Sequence, residues 1–169
     1  MKGNIFLIGF MGTGKSTISR ALKNELGMEC MEMDEIIEEK QGMPIPKIFE
    51  KYGEDYFREA ESRLLMELRE RDNVIVSCGG GVVVREENIG YMKESGKVVL
   101  LSATPQTVYE RVKNSTNRPI LNGNMNVEYI GELMEKRREK YQAAADIVIV
   151  TDGKRTEEIC REIIQKLEE

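Results

Sequence analysis

Short apolar runs alternate along this chain with longer stretches in which apolar residues recur every three or four positions. The runs near 4–8, 29–33, 73–77, 97–101 and 146–150 have strand length. Val74-Ile75-Val76, Val98-Val99-Leu100-Leu101 and Ile147-Val148-Ile149-Val150 are continuous rather than alternating, the mark of parallel strands covered on both faces. Between the runs, the helical period predicts helices over roughly 15–26, 34–41, 45–51, 54–71, 84–95, 105–113, 126–144 and 155–168. Alternating strand and helix, with a helix last, predict a three-layer α/β fold: a five-stranded parallel sheet flanked by helices, with right-handed crossovers. Two segments break the alternation. Residues 34–72 hold several consecutive helices between two strands, more than a crossover needs, and read as a substrate-binding insertion above a sheet edge. Residues 114–126 are polar and rich in turn formers, and read as a lid.

The 169 residues predict a single domain spanning 1–169. A chain of this length can bury about 70% of its unfolded surface, so it needs no disulfide or metal staple. Cys30, Cys78 and Cys160 are odd in number and widely spaced, with no C-x-x-C pair, which fits reduced thiols and a cytoplasmic location. No run of 18 apolar residues occurs, so no membrane partner is expected. The net charge of −5, without a block of Lys and Arg, disfavours nucleic acid as a partner. A monomer acting on small molecules is expected. There is no histidine, which excludes a Ser-His-Asp triad and a His-ligated metal. Any proton acceptor is then Asp, Glu, Lys, Tyr, Cys or water.

The stretch Gly9-Phe10-Met11-Gly12-Thr13-Gly14-Lys15-Ser16-Thr17 fits G-x-x-x-x-G-K-[ST] between an apolar run and a helix start. In that context the amides of Gly12, Thr13, Gly14, Lys15, Ser16 and Thr17 can face the phosphates of ATP at the positive end of the helix dipole. Lys15 would reach the β/γ-phosphates and Ser16 would take a place on Mg²⁺. The competing reading is a glycine turn with a surface lysine. The motif points to a nucleoside triphosphate and does not identify the acceptor.

Further along come Met33-Asp34-Glu35-Ile36-Ile37-Glu38, a segment from Ile48 through Phe57-Arg58-Glu59-Ala60-Glu61, then Gly79-Gly80-Gly81, Arg118-Pro119-Ile120-Leu121 and Arg137-Arg138-Glu139-Lys140-Tyr141. In this order, after the P-loop, they resemble the shikimate kinase family from residue 4 to about 150. The resemblance implies a nucleoside-monophosphate-kinase-like P-loop fold. It also implies ATP- and Mg²⁺-dependent phosphorylation of the 3-hydroxyl of shikimate, a step toward chorismate and the aromatic amino acids.

Several residues then acquire expected roles. Asp34, just after the second strand, would bind the substrate diol and serve as base; it would also suit a helix N-cap. The family carries D-x-D here, whereas this chain has Glu32-Met33-Asp34, so whether Glu32 takes the Mg²⁺ role of the first Asp is open. Arg58 has Glu54 at i−4 and Glu61 at i+3. It is either a surface ion pair or, as the resemblance implies, a fork for the substrate carboxylate aimed by Glu61. Arg137 is implied as the second carboxylate partner, with Arg138 its rival and the spacing to Tyr141 favouring Arg137. Gly79, Gly80 and Gly81 would permit positive φ and close approach to substrate. Arg118 would close over the γ-phosphate from the lid, and Arg111 would pack against adenine. Cys78 reads as a buried space-filler and Met11 as a residue that could face the pocket. The rivals are another small P-loop kinase, for gluconate or a nucleoside monophosphate, and a non-catalytic nucleotide sensor.

Overall fold

The computed structural model describes residues 3–113 and 126–169. The strands β1 (Asn4–Ile8), β2 (Glu29–Glu32), β3 (Val74–Ser77), β4 (Gly96–Ser102) and β5 (Ile147–Val150) form one parallel sheet in the order β2-β3-β1-β4-β5. Ile5 pairs with Ile75 of β3 on one side and Lys97 of β4 on the other. Every residue of β1 is buried. The continuous apolar run is explained by this central position, because successive side chains serve opposite faces. Ile5 and Leu7 pack with Ile18 and Leu22 of α1 (Lys15–Leu26) and with Ile159 and Ile163 of α8 (Thr156–Glu168). Phe6 and Ile8 enter a larger core on the other face. That core is built by α2 (Met33–Gln41), α3 (Ile45–Tyr52), α4 (Glu54–Leu68), α5 (Glu86–Ser95), α6 (Pro105–Val112) and α7 (Val127–Ala144). The three layers and the run of consecutive helices between β2 and β3 are therefore present as the pattern predicts.

Four details differ. β2 stops at Glu32 and α2 begins at Met33, so Asp34 lies inside the first helical turn and Glu32 holds the N-cap position, with no side-chain cap bond. Asp34 is thus not a cap. α4 ends at Leu68 rather than 71. Asn73 then turns the chain into β3 at φ 58, a left-handed angle that Asn tolerates better than most residues. The helix expected over 84–95 divides into a 3-10 turn, Val82–Val84, and α5, with Arg85 extended between them. Lastly, β5 is not covered on both faces. Only Ile149 is buried, while Val148 and Val150 are exposed on an edge strand whose second face the described helices leave open. Among the described residues, no helix is long and apolar enough to cross a membrane.

Strand order brings the loops after β1, β2 and β3 together at one end of the sheet. β1 continues toward β2 on one side, across β3, while its neighbour β4 continues to β5 on the other, so the chain leaves β1 and β4 in opposite directions. Ligands of open α/β sheets bind beyond the carboxyl ends of the strands at such a point.

Candidate active site

The loop leaving β1 folds tightly because glycine stands where other residues would be strained. Gly9, Gly12 and Gly14 have φ of 149°, 80° and 94°. A β-carbon at Gly9 would also fall 2.5 Å from the Leu101 carbonyl oxygen. Gly14 caps α1, so the loop delivers the chain to a helix N-terminus. Lys15 Nζ donates to the carbonyls of Gly9 at 2.7 Å and Phe10 at 3.1 Å, which holds the ammonium over the loop. Beside it opens a cleft of about 340 Å³ lined by residues of the loop, by Glu32 and Asp34, and by Ser77, Cys78, Gly80 and Arg111. Arg111 reaches it from α6 and donates to the Gly12 carbonyl at 3.0 Å. Met11 also lines it. Thr13 does not: it is buried, and both its amide and its hydroxyl turn inward to the Phe10 carbonyl.

Ser16 Oγ donates to Glu32 Oε2 at 2.9 Å. Glu32 Oε1 is buried without a hydrogen-bond partner among the described residues. Two hard oxygen-bearing side chains beside the phosphate loop suit Mg²⁺, which prefers a few carboxylate or hydroxyl oxygens and completes its shell with phosphate and water. Among the described residues there is no group of three or more His, Cys, Asp or Glu that could hold a metal ion by itself. The longer side chain of Glu32 still reaches the serine.

Beside the cleft, α4 presents Arg58 and Glu61 toward the Gly79–Gly81 turn. Arg58 Nη1 donates to Glu61 Oε1 at 2.8 Å and Nε to Glu54 Oε2 at 3.2 Å. This is no surface pair, because the Arg58 side chain is 5% exposed and that of Glu61 0%. Burial opposes the charge on Arg58, but Glu61 and Glu54 together hold it still more firmly protonated than usual. Burial dominates at Glu61 and raises its carboxyl from 4.5 to about 7; Arg58 and Arg137 pull it down and Asp34 pushes it up. Glu61 Oε2 has no hydrogen-bond partner among the described residues.

The glycine triplet behaves differently from expectation. None of Gly79, Gly80 and Gly81 has positive φ. What glycine supplies is room. A β-carbon at Gly79 would lie 2.5 Å from Glu61 Oε2 and 3.0 Å from Asp34 Oδ1, and one at Gly81 would lie 2.4 Å from Arg58 Nη1. Gly80 turns its carbonyl to α7, where Arg137 Nη1 donates to it at 3.2 Å and the Tyr141 hydroxyl donates as well. Arg137 is buried and its guanidinium carbon lies 5.8 Å from the centroid of the Phe10 ring. Arg138 is instead largely exposed and pairs with Glu135 at 3.5 Å.

A phosphate-binding loop and a carboxylate thus share one cleft, and two buried guanidinium groups pack against the glycine turn beside it. The family model for shikimate kinase matches residues 11–168. A shikimate kinase of Dehalococcoides mccartyi is 43% identical over 169 residues, covering 100% of this chain and 96% of that protein. The chain belongs to the shikimate kinase family. Among solved structures, a shikimate kinase from Acinetobacter baumannii in complex with shikimate is 33% identical with a TM-score of 0.95, over 99% of this chain and 94% of that one. Shikimate kinase from Aquifex aeolicus is 39% identical with a TM-score of 0.85, over 98% and 96%.

Within this family frame, Gly12, Gly14, Lys15, Ser16, Thr17, Glu32, Asp34, Gly80 and Arg111 line the cleft, with Arg58, Gly79, Gly81 and Arg137 packed along its inner end. Arg118 and residues 114–125 of the lid expected over 114–126 lie outside the described residues. Cys78 is the buried thiol expected, and burial pushes its pKa far above the ordinary range. Sequence reasoning used Tyr141 only as a spacing mark and gave Phe10 no part. The i, i+4 relation of Arg137 and Tyr141, which places both on one helix face, was the available signal for Tyr141.

Proposed function

We propose that the chain transfers the γ-phosphoryl group of ATP to the 3-hydroxyl of shikimate, releasing shikimate 3-phosphate and ADP. The observation that carries this reading is the pair of buried guanidinium groups, Arg58 and Arg137, packed against Gly80–Gly81, the turn that borders the phosphate-loop cleft with Asp34. Planar guanidinium forks suit a carboxylate, and the acceptor in this reading carries one next to a ring of hydroxyls. With that carboxylate anchored, Asp34 accepts a hydrogen bond from the attacking hydroxyl. As the O–P bond forms and the bond to ADP breaks, the hydroxyl proton passes to Asp34 or is only oriented by it, since loose phosphoryl transfer needs little base catalysis. Lys15 exchanges the Gly9 and Phe10 carbonyls for the β/γ-phosphates. Ser16 and Glu32 would hold Mg²⁺, which neutralises phosphate charge when bound. Arg118 would add positive charge over the transferred group, and Arg111 would flank the adenine.

A nucleotide acceptor would instead need a site to recognise its base. Titration calorimetry tests the assignment. Arg58→Ala should weaken shikimate binding by about a hundredfold, the scale of a lost charge-assisted pair, and leave ATP binding unchanged. Unchanged shikimate affinity would remove Arg58 from the site.

A further inference from the structure

We propose that Tyr141 is a positioning residue of the carboxylate site, acting on Arg137 through the Gly80 carbonyl; this rests on the substrate reading above. One turn of α7 places Arg137 and Tyr141 on the same face, and both side chains are buried. Both donate to the one carbonyl oxygen of Gly80. A carbonyl oxygen has two lone pairs. The phenol takes one at close range, and Arg137 Nη1 takes the other loosely, at 3.2 Å. The guanidinium carbon lies 5.8 Å from the Phe10 ring centroid, and Arg137 also donates directly to the Tyr141 hydroxyl, so the phenol holds the guanidinium both through the shared carbonyl and by contact.

Without the phenol, a buried carbonyl would be left half satisfied, and a buried acceptor in that state is costly. Arg137, with five donors, is the neighbouring group able to fill the gap. It would be drawn onto Gly80 and away from the substrate. Burial raises the Tyr141 pKa despite the opposing pull of Arg137, so the hydroxyl remains a donor at any working pH near neutrality. A purely space-filling role would need only the ring, which phenylalanine supplies.

The test is steady-state kinetics of Tyr141→Phe, Arg137→Ala and the double variant, with shikimate and ATP varied separately and Tm recorded for each. The expected result for Tyr141→Phe is a rise in the KM for shikimate of about fivefold, the scale of one hydrogen bond, with kcat and the KM for ATP within about twofold. In the Arg137→Ala background the same change should add nothing. A normal shikimate KM in Tyr141→Phe, beside a large rise in Arg137→Ala, would overturn the proposal and leave the substrate reading intact. Additive effects in the double variant would overturn the route through Arg137. A fall in Tm with kcat and both KM values disturbed together would make the role structural and overturn it too. A normal shikimate KM in Arg137→Ala would instead overturn the substrate reading of that arginine.

Discussion

Replacing Gly81 by Ala would put a methyl group where the Arg58 guanidinium lies, 2.4 Å from Nη1. Arg58 is tied to Glu61 and Glu54 and has little freedom to retreat. The expected outcome in Gly81→Ala is a KM for shikimate raised by about tenfold or more with ATP affinity within about twofold, read from initial rates; equal changes for both substrates would contradict it. Glu61 carries a second consequence. Its carboxyl titrates near 7 in the folded protein against an ordinary 4.5, so between those values the folded state keeps a proton that the unfolded chain has released. Stability therefore falls as pH rises through that window. Denaturant melts from pH 4.5 to 7 should show the wild type losing stability relative to Glu61→Gln, which has no proton to lose; parallel profiles would contradict the assignment. Residue types, spacing and the family resemblance singled out Lys15, Ser16, Asp34, Arg58 and Arg137, and the structure brings them together around the phosphate loop and the glycine turn. The steric reason for Gly79 and Gly81 was not legible, because it depends on where α4 aims Glu61 and Arg58. The Tyr141 hydrogen bond was hidden for the same reason: its acceptor lies far away in sequence.

On the scale of elements, α4 serves the core and the site at once. Phe57, Leu64, Leu65 and Leu68 are buried in the larger core, and Arg58 and Glu61 are buried on the same face, at i−7 and i−4 from Leu65. Packing the apolar residues aims the polar pair. Leu65 is fully buried, so Leu65→Ala should cost about 2–5 kcal/mol and lower Tm clearly. Because the change removes packing and no polar group, the KM for shikimate should hold at a temperature where the variant is folded. A raised KM without a stability loss would contradict this division. Strand and helix existence was legible from period alone, while ends were not. The short boundary between β2 and α2 depends on backbone geometry that apolar spacing does not encode. The exposure of β5 follows from its edge place in the sheet, and a run of four apolar residues reads alike at the edge and the centre.

Across the whole molecule, the strand order converts separate motifs into one cleft. β2, β3 and β1 are neighbours, so the carboxylates after β2, the glycines after β3 and the phosphate loop after β1 meet at one end of the sheet. α7 closes this assembly by bringing Arg137 to Gly80. The arrangement accounts for a phosphoryl donor and an anionic, hydroxylated acceptor held side by side. The measurement that tests this most directly is ADP release from ATP and Mg²⁺ with shikimate, gluconate or nucleoside monophosphates offered singly as acceptor. Strong stimulation by shikimate alone is the predicted result. Stimulation by another acceptor, or none by shikimate, would contradict the account.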